Sequence, residues 1–95
     1  MMYSYMKLPD ETEVVYSGIE LISNVETIRV YFEKPVEDNF VFYTAECLLP
    51  YKTWSKTKGF SGRELAGLME FVNNNVDLFY EFAREGDVSS CRSIS

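Results

Sequence analysis

Between positions 61 and 85 the chain carries apolar residues at Leu65, Leu68, Met69, Val72, Val76, Phe79, Tyr80 and Ala83. Steps of three and four write one face of a helix. Ser61 is followed three places on by Glu64, the capping-box spacing, in which the hydroxyl accepts a backbone N–H and the carboxylate reaches back to the cap's own N–H. Gly86 follows the last periodic turn and predicts the helix end. A helix of about 24 residues is ~36 Å long and needs a platform of similar length to cover its stripe.

Three runs rich in β-branched and aromatic residues precede it, at 13–22, 25–33 and 40–49. Each is about ten residues, or ~33 Å, so the platform is long enough. Only Ser23 and Asn24 separate the first two, which requires an antiparallel hairpin with Asn tolerating positive φ. Segment 34–39, with Pro35, Asp38 and Asn39, predicts a longer turn. Pairing Ile22 with Val25 and Glu33 with Phe40 makes one face apolar on all three strands: Val15, Ile19, Leu21, Ile28, Val30, Phe32, Val41, Tyr43, Ala45, Cys47 and Leu49. That face is assigned to the helix. The same register sets Tyr16, Tyr31 and Phe42 in one row of the opposite face, extended by Val14 and Phe40. Arg29 lies there within diagonal reach of Glu20 and Glu46.

The expected fold is therefore α+β: a two-layer, three-stranded antiparallel β-meander packed on one long C-terminal helix, in the order β-β-β-α. The 95 residues make one domain. Within it, 1–11 is an N-terminal arm or extra edge strand carrying Tyr3, Tyr5 and Met6, and 87–95 a loose Ser-rich tail. The arm either covers the aromatic face, swaps as a strand, or contacts a second subunit.

Composition narrows the function. Aromatic residues are 16% of the chain, more than one small core hides with ease, so some rings stand at a surface, and a contiguous apolar patch marks a contact face. A net charge of −6 argues against duplex DNA, whose phosphates call for a basic face; it favours a basic protein partner. With two cysteines and no histidine no common zinc site is expected, and no cofactor. Cys47 in an apolar run and Cys91 in the tail make a disulfide a poor fit and a reducing, cytoplasmic setting the expectation. No stretch approaches a secretory or membrane-spanning segment, so no membrane partner is expected.

Segment 50–60 is the one basic and aromatic stretch, and Lys52, Trp54, Lys56 and Lys58, with Ser61 and Arg63, are the candidates for holding an anion, a nucleotide or single-stranded nucleic acid at a helix start. No phosphate-loop pattern accompanies them. For catalysis no nucleophile and base stand at a telling spacing, and an enzyme is not expected.

In layout the chain resembles small antitoxin domains of the HicB type, which have a three-stranded meander, a Pro-containing loop and a helix introduced by Gly, one residue, Ser or Thr, and a downstream Glu. The matching residues are Gly59, Phe60, Ser61, Gly62, Arg63 and Glu64. The basic aromatic insertion is a departure from that layout, as is the lack of an appended DNA-binding segment. The resemblance implies an antitoxin-, immunity- or inhibitor-like acidic protein that masks a basic partner. Taken together, the expected function is a non-enzymatic protein-interaction module, a homodimer, with Tyr16, Arg29, Tyr31, Phe40 and Phe42 at the interface.

Overall fold

Residues Val25–Val36 form a twelve-residue strand, β4, and the rest of the sheet is built on its two edges. The computed structural model describes residues 2–36 and 41–92, and side chains as far as Glu85. Ahead of β4 come β1 (Met2–Lys7), β2 (Glu13–Ser17) and β3 (Glu20–Ile22); after it come β5 (Val41–Leu49), β6 (Thr53–Lys58) and the helix α1 (Gly62–Arg92). The sheet order is β1-β2-β4-β5-β6, with β3 paired to β4 below β2. Every pairing is antiparallel. The fold is thus an α+β meander carrying one C-terminal helix, but its sheet has six strands among the described residues rather than three.

The helix stripe and the inner sheet face close on each other as their spacing predicts. Leu68, Val72, Phe79 and Ala83 of α1 are buried against Val14, Tyr16, Ile28, Val30, Phe32, Ala45, Cys47 and Leu49, with Leu65, Met69, Val76 and Tyr80 partly buried at the margins. Edge-to-face and tilted ring contacts knit this layer: Phe79 lies 4.4 Å from Tyr5 and 5.9 Å from Tyr16 between centroids. Phe32 meets Trp54 at 6.0 Å and Phe71 at 6.2 Å.

Three expectations are corrected. First, the strand expected at 13–22 is broken: Ile22 does pair with Val25, but Tyr16 pairs with Val30 rather than Tyr31. Tyr16 to Glu20 therefore opposes Val30 to Thr27 with one residue to spare, a bulge at Ser17, Gly18 and Ile19. Because side chains alternate, one extra residue turns everything upstream over. Val14 and Tyr16 go to the core and Val15 to the outer face; Leu21, downstream of the bulge and in its expected register opposite Glu26, is nevertheless 71% exposed. Ser17 Oγ accepts the Arg29 N–H at 2.9 Å and so takes the place of a ladder partner at the break.

Second, β4 runs on through Pro35 to Val36, which pairs with Val41, so Phe32 faces Ala45 rather than Val41. The slip is four residues, an even number, and the inner and outer faces of β4 and β5 are unchanged. Third, 53–58 is strand β6 on the free edge of β5, not loop, and α1 continues through Gly86 to Arg92. The helix does not end at the glycine, and six positions of the expected tail, 87–92, are helical. The expected turn residues Asp38 and Asn39 lie outside the described residues.

The tight turns use left-handed residues where the geometry demands them. Ser23 and Asn24 both have positive φ, the requirement of a two-residue type I′ hairpin. The capping box forms as spaced: Ser61 N–H donates to Glu64 Oε1 at 2.9 Å and Glu64 N–H to Ser61 Oγ at 3.2 Å. Lys34 ties that helix start to the β1–β2 turn, 3.7 Å from Glu64 and 3.5 Å from Asp10.

Beneath this turn Thr12 is fully buried, its N–H donating to Asp10 Oδ1 at 3.1 Å, while its Oγ1 makes no hydrogen bond of good geometry; Leu8, Phe60, Leu68 and Phe71 surround it, with the Asp10 and Glu64 carboxylates at the rim. A buried hydroxyl without a partner carries a desolvation cost that an isosteric methyl removes. Thr12→Val is expected to stabilise the fold by about 1 kcal/mol, read as a rise of roughly 4–8 °C in Tm. A fall in Tm would show that the hydroxyl is satisfied.

Candidate functional site

One face of the sheet is covered by α1; the other carries no element among the described residues. Rows read across it, in the order β1, β2, β4, β5, β6, run Lys7, Glu13, Glu33, Thr44, Lys58 and then Ser4, Val15, Tyr31, Glu46, Lys56. Pro35 stands beside Phe42 toward one end, Arg29 beside Leu48 toward the other. A shallow groove of about 380 Å³ is lined by Met2, Val15 and Tyr31, with Glu13 and Glu33 at its side.

The predicted interface residues divide. Tyr31 and Phe42 stand on this open face, Phe42 exposed and Tyr31 half-buried. Tyr16 does not: the bulge turns it under α1, between Tyr3, Tyr5 and Phe79, so the row Tyr16, Tyr31, Phe42 does not form. Phe40 lies outside the described residues. Arg29 is on the open face and is held there, its Nε 3.2 Å from Glu20 and its Nη1 3.6 Å from Glu46. The Glu20 hydrogen bond, with both carboxylates nearby, raises the Arg29 pKa. An exposed pair of this kind orders the side chain more than it stabilises the fold.

Glu13 and Glu33 are directly opposed on neighbouring strands, an arrangement in which like charges repel. Among the described residues neither makes an ion pair, nor do Lys7, Lys56 or Lys58. Burial, and then the Glu33 carboxylate two residues along the same strand, push the Tyr31 phenol above its usual range. Glu13, Glu33, Val15 and Met2 are the surface residues that reading the sequence missed. For Glu13 and Val15 the signal was the Ser-Gly pair in a strand, which marks a bulge; Glu33 follows from the alternation of β4 and Met2 from the edge strand β1.

The basic stretch does not gather into one site. Trp54 pairs with Cys47 on the inner face and packs edge-on to Phe32, whereas Lys56 and Lys58 point outward beside Glu46 and Thr44. Lys52, with φ of 60°, sits in the β5–β6 turn. At the helix start the Ser61 N–H is taken by Glu64, whose carboxyl the Ser61 backbone hydrogen bond and Lys34 hold below its ordinary range. An anion approaching Ser61 and Arg63 meets that carboxylate first.

Cys47 is fully buried, and burial pushes its thiol up to about 11, the behaviour of a structural rather than a reactive cysteine. Among the described residues no three His, Cys, Asp or Glu side chains gather as metal ligands, and no helix is long and apolar enough to cross a membrane. Comparisons with protein-family models, curated proteins and solved structures found no match to this chain.

Proposed function

We propose that the protein is a small acidic, non-enzymatic interaction module that associates with itself through the open face of its sheet. The carrying observation is the one-sided layer: α1 buries the inner face, while Met2, Val15, Tyr31, Pro35, Phe42 and Leu48 lie on the outer one among charged side chains. A mixture of apolar and charged groups on a face this broad is the composition of a non-obligate interface. A net charge of −6 also suits a basic protein in the same place, as expected of an inhibitor-like protein in a reducing, cytoplasmic setting.

Tyr31→Glu is the test. It adds a carboxylate beside Glu33 and Glu46 in the middle of the face while leaving the core untouched. The expected result is loss of assembly in sedimentation velocity with helix content by circular dichroism unchanged. Assembly that survives the substitution would remove the face from the interface. The competing reading, an anion or nucleotide at Trp54 and its lysines, predicts a change of Trp54 fluorescence on adding nucleotide or oligonucleotide at low salt; the separation of Trp54 from Lys56 and Lys58 predicts none.

A further inference from the structure

Gly67 lies in the interior of α1, where only proline lowers helix stability more than glycine. A Cβ at this position would meet no atom within 4 Å, and the backbone there is not left-handed. Neither close packing nor conformation therefore calls for glycine, and what its missing side chain leaves is space. That space belongs to a cleft of about 230 Å³ between the first turns of α1 and the β1–β2 turn. Leu8, Phe60, Leu68 and Phe71 are its apolar walls. Thr12, the fully buried residue of the lining, closes the inner end with a hydroxyl that makes no hydrogen bond of good geometry. Two residues that each lower the stability of the fold thus line one cleft, the pattern of a binding site that trades stability for function.

We propose that this cleft binds a small uncharged phenol, with the aromatic ring between the apolar walls and the hydroxyl at Thr12. The volume fits, since an apolar cavity of about 150 Å³ takes up benzene, and the larger cleft has room for a ring with substituents. Phe60 and Phe71 offer edge-to-face contacts that an aliphatic ligand would not use. The polar end is selective as well. Thr12 Oγ1 both donates and accepts, and the neighbouring Asp10 carboxylate, which accepts the Thr12 N–H at 3.1 Å, is an acceptor only. A phenol oxygen set between them accepts from Thr12 and donates to Asp10, which gives each group a partner.

The Thr12 hydroxyl is screened from solvent, so a ligand reaches it by turning the Asp10 side chain aside. Asp10 is free to turn: it is exposed on the β1–β2 turn, and Lys34 holds it at 3.5 Å in a solvent-accessible ion pair, a weak restraint. The rim also sets the charge of the ligand. The carboxylates of Asp10 and Glu64 share the single ammonium of Lys34, so an acidic group on the ring meets a net negative edge. The cleft and the open sheet face have no residue in common, and the proposal does not depend on self-association.

The test is a titration of the isotope-labelled full chain with p-cresol, read at the backbone amides of Thr12, Gly67 and Leu68. Toluene is the analogue without the hydroxyl, and p-hydroxybenzoate the one with an added acid. Saturable shifts at the three amides are expected with p-cresol, with both analogues binding roughly fivefold or more weakly. Thr12→Val and Gly67→Leu are each expected to weaken p-cresol binding roughly tenfold, the first by leaving the phenol hydroxyl unpaired and the second by filling the space, while Tm stays at or above that of the parent. A more stable fold that binds less well is a result that a purely structural role for these residues does not give. Absence of saturable shifts at these amides, equal affinity for toluene, or p-cresol binding that neither substitution moves would overturn the site.

Discussion

Phe79→Ala is expected to cost about 3–5 kcal/mol, a large share of the roughly 5–15 kcal/mol that holds a domain folded. The ring is fully buried and is the point where the N-terminal strand, the first hairpin and the helix meet, through Tyr5, Tyr16 and Phe71. Removing it leaves a cavity bounded by three other rings that cannot all move into the space, which is the condition for a cost at the upper end of the range. Urea unfolding followed by circular dichroism measures it. A loss below about 1 kcal/mol would mean that the aromatic layer is loosely packed and that β1 is not anchored as described.

Gly59→Ala has the second large effect, by a different mechanism. Gly59 has φ of 91°, a region that residues with a side chain rarely adopt. A Cβ built there would also lie 2.1 Å from Tyr43 Cδ1 and 2.7 Å from its Cγ. The overlap is with the base of the ring rather than its tip, so a small rotation of Tyr43 does not relieve it. Tyr43 is in turn packed edge-on to Phe60, 5.7 Å away, and Phe60 precedes the capping residue Ser61. The backbone at 59 therefore aims the chain from β6 into the helix. A loss of about 2–4 kcal/mol is expected, of which the left-handed backbone accounts for roughly 1–2. Adding Tyr43→Ala should recover part of the steric share and none of the backbone share. Strict additivity of the two substitutions would show that they do not meet.

The two predictions lie on parts of the fold that the sequence reveals unequally. Phe79 belongs to a stripe of eight apolar positions whose three-and-four spacing has no other reading, and the capping pair Ser61 and Glu64 forms as written. The faces of β4 and β5 are also legible, because a slip of four residues around Pro35 preserves alternation even where the turn is misplaced. The proline was read as a break, whereas the strand carries it close to its end, beside Phe42.

The first strand is where pattern reading fails, and the failure is physical. Val14, Val15 and Tyr16 offer an apolar residue to either face, so alternation alone does not choose. The choice is made by one extra residue at Ser17, Gly18 and Ile19, three positions downstream. That single residue moves Tyr16 from the supposed contact surface into the core and exposes Val15 in its place. Strand β6 escapes notice for another reason: the segment TWSKTK is polar because it is an edge with one wet face, and its lysines, which read as a ligand site, are what an edge strand carries to stay unpaired. Of the residues expected on the open face, Tyr31, Phe42 and Arg29 stand there because they lie on β4 and β5, whose faces alternation assigns without ambiguity.

The central claim is that the open sheet face is a surface of self-association, and the mass of the parent protein in solution tests it most directly. Sedimentation equilibrium at low salt over a wide range of loading concentrations should give a reversible approach to twice the chain mass of 11.0 kDa, shifted toward monomer by Tyr31→Glu. A mass of one chain across the whole range, insensitive to salt and to Tyr31→Glu alike, would contradict it.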